Sequence, residues 1–274
     1  MDKNPYLPRT AKIVDIEDEV GGPRAIKTFR TQFVVNNSFS FLSGQCAMVS
    51  VFGKGEAMFS ISSTPLVKDY LQFSVMKMGK VTSALHDLQV GDIVGIRGPY
   101  GNNFPLDSWR GKNLVFIAGG IGLAPLWSVI QTVLRKRDEY GRLTLFYGAR
   151  TSDDLVFKRE IEELKSQMTV LLSVDAAEPG WTEFIGFVPN NVLDKKPSPD
   201  NAIAMTCGPP IMIKFTINNL RELGFRDEHV YTTVENKMKC GVGKCGRCNI
   251  GVHYVCKNGP VYSWAELNRL PPEF

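Results

Sequence analysis

The sequence lacks a strong excess of either charge. It carries 32 Lys and Arg residues against 28 Asp and Glu residues, a formal net charge of +4 over 274 residues. Proteins that bind nucleic acid or an anionic membrane through surface charge are usually far more basic, or gather their basic residues in one stripe. The composition therefore gives no support to such a partner, and we expect no nucleic-acid binding.

Uninterrupted apolar runs are also missing. Residues 114–134 carry no charge and would be long enough to cross a bilayer, but three glycines and Pro125 break the run. A buried strand, a tight loop and a buried helix explain it better, so we expect no transmembrane segment. The first ten residues contain no apolar core of a secretory signal, which predicts a cytoplasmic protein.

Histidine is scarce, and the three histidines show no metal-ligand spacing. Cysteine is unevenly placed, because four of the six cysteines fall within 17 residues near the C-terminus. They are Cys240, Cys245, Cys248 and Cys256. In a reducing compartment such a group indicates metal ligation rather than disulfides. We expect the isolated Cys46 to be a core residue.

The chain changes character near residue 110. Before it, short β-rich segments separated by turn signals predict a small antiparallel barrel. The predicted strands are Arg9–Val20, Ile26–Val34, Gln45–Phe52, Met58–Ser63, Tyr70–Lys77 and Asp92–Arg97. One of the turns is predicted at Asn36-Asn37, and one short helix is predicted at Val81–Leu88.

Beyond residue 110, strands and helices alternate as in a doubly wound parallel sheet. The predicted strands are Asn113–Ala118, Leu143–Tyr147, Thr169–Val174 and Ala202–Thr206. The predicted helices are Pro125–Arg137, one that Asp153 or Asp154 caps and that runs to about Gln167, and Pro210–Leu223. The fold class is therefore β followed by α/β. We expect a barrel domain at 1–108, a nucleotide domain at 109–228 and a small cysteine module at 229–274.

The four clustered cysteines have the spacing C-x4-C-x2-C-x7-C, with glycines around the first three. Glycines let a loop wrap closely around a cluster and leave backbone N–H groups free to point at sulfur. The first three cysteines have the spacing of plant-type [2Fe–2S] ferredoxins, whereas the fourth follows much sooner than in those proteins. The alternative is a zinc knuckle, which more often uses two C-x2-C pairs, and only one such pair exists here.

Two further loops each follow an apolar strand and precede a helix. The first holds Gly119, Gly120 and Gly122 before Pro125, a context in which helix N-terminal N–H groups can bind a pyrophosphate. Pro125 replaces the third glycine of the usual fingerprint, and a plain tight turn is the alternative. The second loop is Cys207-Gly208-Pro209. Two such loops at the carboxyl ends of parallel strands can line one dinucleotide crevice.

The type of nucleotide depends on residues after the strand Leu143–Tyr147. Arg150 could bind a 2′-phosphate, whereas Asp153 and Asp154 could hydrogen-bond a ribose hydroxyl instead. These opposing signals predict NAD(P), with a preference for NAD.

A third candidate site lies in the predicted barrel. A flavin needs an apolar or aromatic wall, polar groups near its reactive edge, and donors for its phosphates. Phe59 and Ser60 could supply the first two, and the turn at Thr82 the third. On the residues alone, an ordinary strand and helix cap is the simpler interpretation.

Taken together, these motifs resemble the ferredoxin–NADP reductase superfamily. The resemblance rests on Phe59-Ser60-x-x-Ser63, Gly79-x-x-Thr82, the GGIGLAP loop and Cys207-Gly208-Pro209. The cysteine cluster narrows it to the iron–sulfur electron-transfer subunits of soluble hydrogenase or sulfhydrogenase, anaerobic sulfite reductase and dihydroorotate dehydrogenase B, with similar subunits in heterodisulfide-reductase-type complexes. Many superfamily members have arginine two residues before the strand aromatic, where this chain has Ala57.

The resemblance implies a diaphorase-type oxidoreductase subunit that moves electrons between NAD(P)H and a catalytic redox partner through FAD and a [2Fe–2S] cluster. It implies a flavin site at Met58, Phe59, Ser60, Ile61, Ser62, Gly79, Val81 and Thr82. It implies a nucleotide site at Gly119, Gly120, Gly122, Pro125, Arg150, Cys207, Gly208 and Pro209. Catalytic roles fall to Ser60, Cys207 and Glu235, and the four clustered cysteines ligate the metal.

A partner subunit is expected because no substrate pocket with a paired acid and base is recognisable in the chain. The apolar segment Val261–Trp264, with Leu267 and Leu270, is one candidate contact surface, and its packing against the protein body is the alternative. The competing functional hypothesis is a nucleotide-binding scaffold with a zinc knuckle and no redox activity.

Overall fold

The computed structural model describes residues 4–35 and 39–271. The predicted turn at Asn36-Asn37 lies outside the described residues. Cα packing divides the chain into two compact units. Unit 1 runs up to Phe104 and adds 127–132 and 234–261, and unit 2 contains the remaining residues. The division into three domains at 108/109 and 228/229 stays a proposal.

Unit 1 contains a six-stranded antiparallel sheet. Its strands are β1 (Arg9–Val20), β2 (Ile26–Phe33), β3 (Cys46–Val51), β4 (Gly55–Ser60), β5 (Leu71–Met76) and β6 (Ile93–Tyr100). They lie in the order β4-β3-β6-β1-β2-β5. Because β6 returns to lie between β1 and β3, the connection is of Greek-key type. The predicted antiparallel barrel is confirmed.

The strand β3 is buried on both faces. Ala47, Val49 and Val51 point into the apolar core of the sheet. Cys46 and Met48, on the opposite face, pack with Tyr100 in a second cluster that also contacts Val242 of the cysteine loop. Because side chains alternate along a strand, one apolar segment serves two cores.

The fourth predicted strand is displaced by three residues, from Met58–Ser63 to Gly55–Ser60. A turn at Gly53 starts β4 early, so that Gly55 already pairs with Val51. After Ser60 the chain leaves β3, and the Ser62 N–H donates to the Gln72 carbonyl of β5 at 2.8 Å. The helix α1 (Lys80–His86) follows β5, close to its predicted position.

Unit 2 contains a seven-stranded sheet in the order β10-β9-β8-β7-β11-β12-β15. Its strands are β7 (Asn113–Gly119), β8 (Leu143–Ala149), β9 (Thr169–Val174), β10 (Phe184–Ile185), β11 (Ala202–Cys207), β12 (Val230–Thr233) and β15 (Val261–Ser263). The pairings from β10 through β12 are parallel. The predicted doubly wound sheet is confirmed, and its central strands are almost wholly buried, as helices on both faces require.

The helices that connect these strands are α2 (Leu123–Leu134), α3 (Lys158–Leu164), α4 (Val188–Lys195) and α5 (Pro210–Glu222). The predicted extension of α2 to Arg137 is wrong, because a separate 3-10 turn at Arg137–Glu139 follows it. The predicted aspartate cap of α3 is also wrong. Asp153 and Asp154 lie in their own 3-10 turn, and α3 begins only after the buried Leu155–Phe157 segment.

The cysteine loop, residues 234–248, forms neither helix nor strand, and the structure describes all of it. It is followed in unit 1 by a two-stranded hairpin of β13 (Asn249–Ile250) and β14 (His253–Tyr254), and by the short helix α6 (Val255–Asn258). The last helix is α7 (Trp264–Leu267), in unit 2. Over the described ranges, no helix is long and apolar enough to cross a membrane.

Candidate functional site

The two predicted nucleotide loops lie at the carboxyl ends of neighbouring strands. β7 ends at Gly119 and β11 ends at Cys207, and the two strands pair in parallel with Ala118 opposite Cys207. The chain order reverses between them, since β8 to β10 lie beyond β7 and β12 lies beyond β11. Open α/β sheets bind ligands at this switch point, outside the carboxyl ends of the strands. The loops are therefore together where a dinucleotide crevice is expected.

The loops approach each other so closely that Gly122 has no space for a side chain. A Cβ on Gly122 would lie 2.5 Å from the carbonyl oxygen of Cys207 and 2.6 Å from the Cα of Gly208. Gly120 differs, because its φ of +54° favours glycine while its Cβ position meets no atom within 4 Å. Gly122 thus permits loop packing, and Gly120 leaves open space at the start of α2.

Cys207 is a buried residue at the end of β11, 1% exposed. Its Sγ lies 3.2 Å from the Oγ1 of Thr233, at the end of the adjacent strand β12. Thr233 belongs to no motif, and the sequence analysis predicted no strand at Val230–Thr233. A prediction of that strand would have placed Thr233 at the same sheet edge as Cys207. The predicted catalytic role of Cys207 stays a prediction.

Arg150 is exposed and lies beside carboxylates. Partial burial raises the pKa of Asp175. The positive charge of Arg150 lowers this pKa, and the negative charge of Asp154 raises it further. The Asp175 N–H also donates to the Arg150 carbonyl at 3.2 Å. Sequence reasoning missed Asp175, although it directly follows the correctly predicted strand β9.

The predicted flavin residues share unit 1. Met58, Phe59 and Ser60 are half-buried on β4, with Phe59 packed against the apolar core of the sheet. Ile61 and Ser62 are buried beyond the strand end, and Ser62 Oγ accepts from the Gln72 amide at 3.3 Å. Ile61 and Ser62 therefore anchor the end of β4.

The turn before α1 is shaped by Thr82. Its Oγ1 accepts the backbone N–H groups of Met78 and Gly79, each at 2.8 Å. The turn also lies against β4, because a Cβ on Gly55 would be 3.2 Å from Val81 Cγ2. The structure thus brings the two predicted flavin motifs together, with the Thr82 hydroxyl organising the turn. The first N–H groups of α1 have no partner within the helix.

Backbone N–H groups in the cysteine loop point at sulfur. Cys240 Sγ accepts from Val242 at 3.4 Å, Lys244 at 3.3 Å and Cys245 at 3.4 Å. Burial would raise the pKa of Cys240, but the hydrogen bonds from these groups outweigh it and lower the pKa to about 6. The loop therefore stabilises a thiolate, the form of cysteine that binds metal.

The four cysteines interact electrostatically in two pairs, Cys240 with Cys245 and Cys248 with Cys256. The charge of Cys240 also acts on Cys256. Gly243 N–H donates to Cys256 Sγ at 3.2 Å. Within the described ranges, no three His, Cys, Asp or Glu side chains are grouped closely enough to hold one metal ion.

Exposure differs between the pairs. Cys245 is exposed and Cys240 is half-buried, whereas Cys248 and Cys256 are buried. Cys46 is also near the second pair. Burial raises the pKa of Cys46 to about 12, and the charges of Cys256 and Cys248 contribute to this rise. Its core position confirms the prediction, but its nearness to the cysteine loop was not predicted.

The remaining predicted features are Glu235 and the apolar segment near the C-terminus. Glu235 is exposed at the start of the cysteine loop, and its predicted role stays a prediction. In the apolar segment proposed as a partner surface, Tyr262 and Ser263 are buried in β15, and Trp264 packs against the core of unit 2. For these three residues the alternative, packing against the protein body, is what the structure shows.

Two family models match the chain. The oxidoreductase NAD-binding domain matches residues 116–218, and the iron–sulfur cluster binding domain of dihydroorotate dehydrogenase B matches residues 235–268. The matches cover the two loops of the parallel sheet and the complete cysteine cluster.

Curated relatives align over most of the chain. Sulfhydrogenase 1 subunit gamma of Pyrococcus furiosus is 37% identical over 242 residues, 85% of this chain and 82% of the relative. Sulfhydrogenase 2 subunit gamma of the same organism is 35% identical, covering 95% and 96%. A probable dihydroorotate dehydrogenase B (NAD(+)) electron transfer subunit of Methanocaldococcus jannaschii is 33% identical, covering 88% and 86%.

Solved structures share the fold. An NADH-dependent reduced ferredoxin-NADP oxidoreductase matches with a TM-score of 0.73 and 23% identity, over 99% of this chain and 91% of that one. A ferredoxin NADP+ reductase from Neisseria gonorrhoeae with bound FAD and NADP matches with a TM-score of 0.67 and 22% identity, over 81% and 96%.

Proposed function

The chain belongs to the family of iron–sulfur electron-transfer subunits that includes those of sulfhydrogenase and dihydroorotate dehydrogenase B, and from this premise we propose that it is a diaphorase-type subunit. In this proposal it oxidises NAD(P)H and delivers electrons to a catalytic redox partner. FAD and a [2Fe–2S] cluster are its cofactors. When bound, they convert the electron pair of the nicotinamide into single electrons.

The observation that carries this proposal is the set of backbone N–H groups that point at the sulfurs of the clustered cysteines. Such hydrogen bonds tune the potential of an iron–sulfur cluster. A binuclear cluster takes two ligands on each iron, which the four clustered cysteines would supply. The match of the iron–sulfur cluster binding domain to residues 235–268 supports the same proposal.

The nucleotide is held, in this proposal, by the loops after β7 and β11. Gly122 lets the loops meet, and the open space at Gly120 allows a pyrophosphate to approach the N–H groups of the 3-10 turn Gly120–Gly122, which precedes α2. Tyr147 keeps the first loop in place, because its hydroxyl donates to the Gly120 carbonyl at 3.2 Å. Cys207 and Gly208 would then contact the nicotinamide side.

We infer a preference for NADH over NADPH. A 2′-phosphate needs an available cation, and Arg150 already interacts with Asp175 beside Asp154. Carboxylates near a ribose favour its free hydroxyl and repel a phosphate. The preference is tested by comparing the rates at which the two nucleotides bleach the flavin absorbance.

The flavin is assigned to β4 and the turn before α1. Phe59 and Ser60 would line the ring, and the N–H groups that begin α1 would serve a phosphate in the place of the arginine that Ala57 replaces. The exposed Cys245 marks the edge of the cysteine loop from which electrons would leave, and we propose that the partner docks there.

The test is anaerobic purification followed by metal analysis, sulfide analysis and a visible spectrum. Two irons and two sulfides per chain, with flavin absorbance that NADH bleaches, are expected. Stoichiometric zinc without flavin absorbance would establish the alternative, a zinc-knuckle scaffold, and end the redox proposal.

A further inference from the structure

Arg97 is a buried arginine on β6, 5% exposed. An arginine side chain has five N–H donors, and Arg97 makes five hydrogen bonds. Nε and one Nη2 hydrogen bind the Glu56 carboxylate, at 2.9 and 2.5 Å. Nη1 donates to the Tyr100 hydroxyl at 2.8 Å. The complete use of its donors indicates a fixed orientation.

The remaining two donors hold the cysteine loop. Nη1 donates to the carbonyl of Cys240 at 2.5 Å, and Nη2 donates to the carbonyl of Lys239 at 2.9 Å. These carbonyls lie more than 140 positions along the chain from Arg97. Since the loop has no helix or strand of its own, contacts of this kind must define its path.

Arg97 is itself held from two sides. Glu56 supports the fork of its guanidinium, and Ser50 Oγ donates to Glu56 at 3.3 Å. The Tyr100 hydroxyl donates to the Pro5 carbonyl at 3.2 Å. The Tyr100 ring packs against Gly241, where an added Cβ would lie 2.7 Å from Cζ of the ring. Arg97, Glu56 and Tyr100 thus form a rigid support beneath Lys239–Gly241.

We propose that Arg97 is a positioning residue for the iron–sulfur cluster. Arg97 orients Cys240 by binding the backbone carbonyl of Cys240, and together with Glu56 it sets the charge near the cluster. The inference rests on the proposed function, because it requires that Cys240 ligate a cluster. Groups beyond the ligands commonly affect metal affinity by about 10–100-fold. A nearby positive charge also favours the reduced, more negative form of a cluster.

Three variants separate orientation from charge. Arg97→Lys keeps the charge but has three donors for five acceptors, so at least two contacts are lost. Arg97→Met removes both the charge and the donors and leaves Glu56 unpaired. Glu56→Gln keeps the guanidinium on the two carbonyls but leaves it without a counter-charge. Arg30→Lys is the matched control, because Arg30 pairs with Asp15 at 2.9 Å on the same sheet.

The experiment uses holoprotein purified anaerobically with its flavin and cluster. We measure the rate of iron loss to a chelator, the electron paramagnetic resonance spectrum of the reduced cluster, and its potential by redox titration. Arg97→Lys should lose iron about tenfold faster than the wild type, with an altered spectrum. Arg97→Met should lower the cluster potential and Glu56→Gln should raise it, while Arg30→Lys matches the wild type. Flavin reduction by NADH should stay unchanged in all four.

The outcomes distinguish this inference from the proposed function. If the wild type holds no iron–sulfur cluster, the proposed function fails. If the wild type holds one but Arg97→Lys and Glu56→Gln match it in iron loss, spectrum and potential, Arg97 is not a positioning residue. Should Arg97→Met not fold, the other two variants still decide the question, because each retains a polar side chain at its position.

Discussion

The nucleotide loops of unit 2 and the cysteine loop of unit 1 are positioned in different ways. Gly119–Gly122 and Cys207–Pro209 continue two paired parallel strands, so the sheet brings them together. The cysteine loop has no such scaffold, and its start is held by the side chain of Arg97 and the ring of Tyr100.

This difference determines which damaged contacts a second substitution can partly restore. The nucleotide loops meet backbone to backbone, at Gly122 and Cys207. The cysteine loop meets the sheet backbone to side chain, at Gly241 and Tyr100. A substitution that damages the first contact has no compensating partner, whereas damage to the second can be partly relieved by a second substitution.

The largest effect expected is the loss of the cluster from Cys245→Ser. Because the proposed [2Fe–2S] cluster needs two cysteines on each iron, the variant should give no reduced-cluster signal in electron paramagnetic resonance. Flavin reduction by NADH should persist, since the residues proposed to bind the nucleotide and the flavin are untouched. Cys46→Ala is the control, because Cys46 is buried near the second pair but is not a predicted ligand. Loss of flavin reduction in Cys245→Ser with the flavin still bound would contradict the proposed order of carriers.

The second prediction concerns Gly122→Ala. Its Cβ would lie 2.5 Å from the Cys207 carbonyl oxygen, so the loops must separate. Overpacking of this kind typically costs about 1–3 kcal/mol of unfolding free energy. We expect that loss in denaturant titration, together with a raised KM for NADH. Gly21→Ala, where a Cβ meets nothing within 4 Å, should leave both unchanged. A wild-type KM in Gly122→Ala would refute the assigned loop contact.

The third prediction tests whether the contact between Gly241 and the Tyr100 ring positions the cysteine loop. Gly241→Ala would place a Cβ 2.7 Å from the Tyr100 ring and in a backbone with φ +76°. We expect about tenfold faster iron loss to a chelator, as for other disturbed metal surroundings. Tyr100→Leu removes the ring and also the hydroxyl that Arg97 contacts. In that background Gly241→Ala should accelerate iron loss by less than about tenfold, because the ring contact is gone while the backbone strain remains. An effect of the same size in both backgrounds would show that the ring contact does not limit the loop.

The smallest effect is expected at the nucleotide ribose. Replacing Asp175 by Asn removes one of the carboxylates near Arg150 and should free its charge for a 2′-phosphate. We expect a severalfold rise in the NADPH-to-NADH ratio of kcat/KM, measured by flavin reduction, because one charge interaction near the surface contributes about 1 kcal/mol. Asp138→Asn is the control, since Asp138 is exposed in the turn before β8, at the opposite end of that strand from Arg150. An unchanged ratio would remove Asp175 from the nucleotide site.

Most of the secondary structure could be predicted because it depends on local patterns. β1 and β9 have their predicted bounds, and the apolar β7 and β11 differ by one residue at their ends. The prediction failed where tertiary contacts override local signals. Asp153 and Asp154 are ordinary helix caps by type, but the buried Leu155–Phe157 segment separates them from α3.

The residues of the candidate site also divide into those that a local pattern predicted and those that depend on tertiary contacts. The cysteine spacing and the glycine loops were recognisable because their residues are close in sequence. Arg97, Glu56 and Thr233 were missed because each acts on a segment that is distant in sequence, and no local pattern distinguishes them from other polar residues on strands. Cys46 was predicted as a core residue, but only the fold shows that its core adjoins the second cysteine pair.

The sequence by itself determined the order of the barrel, the parallel sheet and the cysteine cluster, since hydrophobic periodicity, turn residues and ligand spacing are properties of short segments. Only the tertiary structure decided how the cysteine loop is supported and how closely the two nucleotide loops approach each other at the switch point. Those contacts join residues far apart along the chain, and their hydrogen bonds form only after the sheets have brought them within about 3 Å of each other.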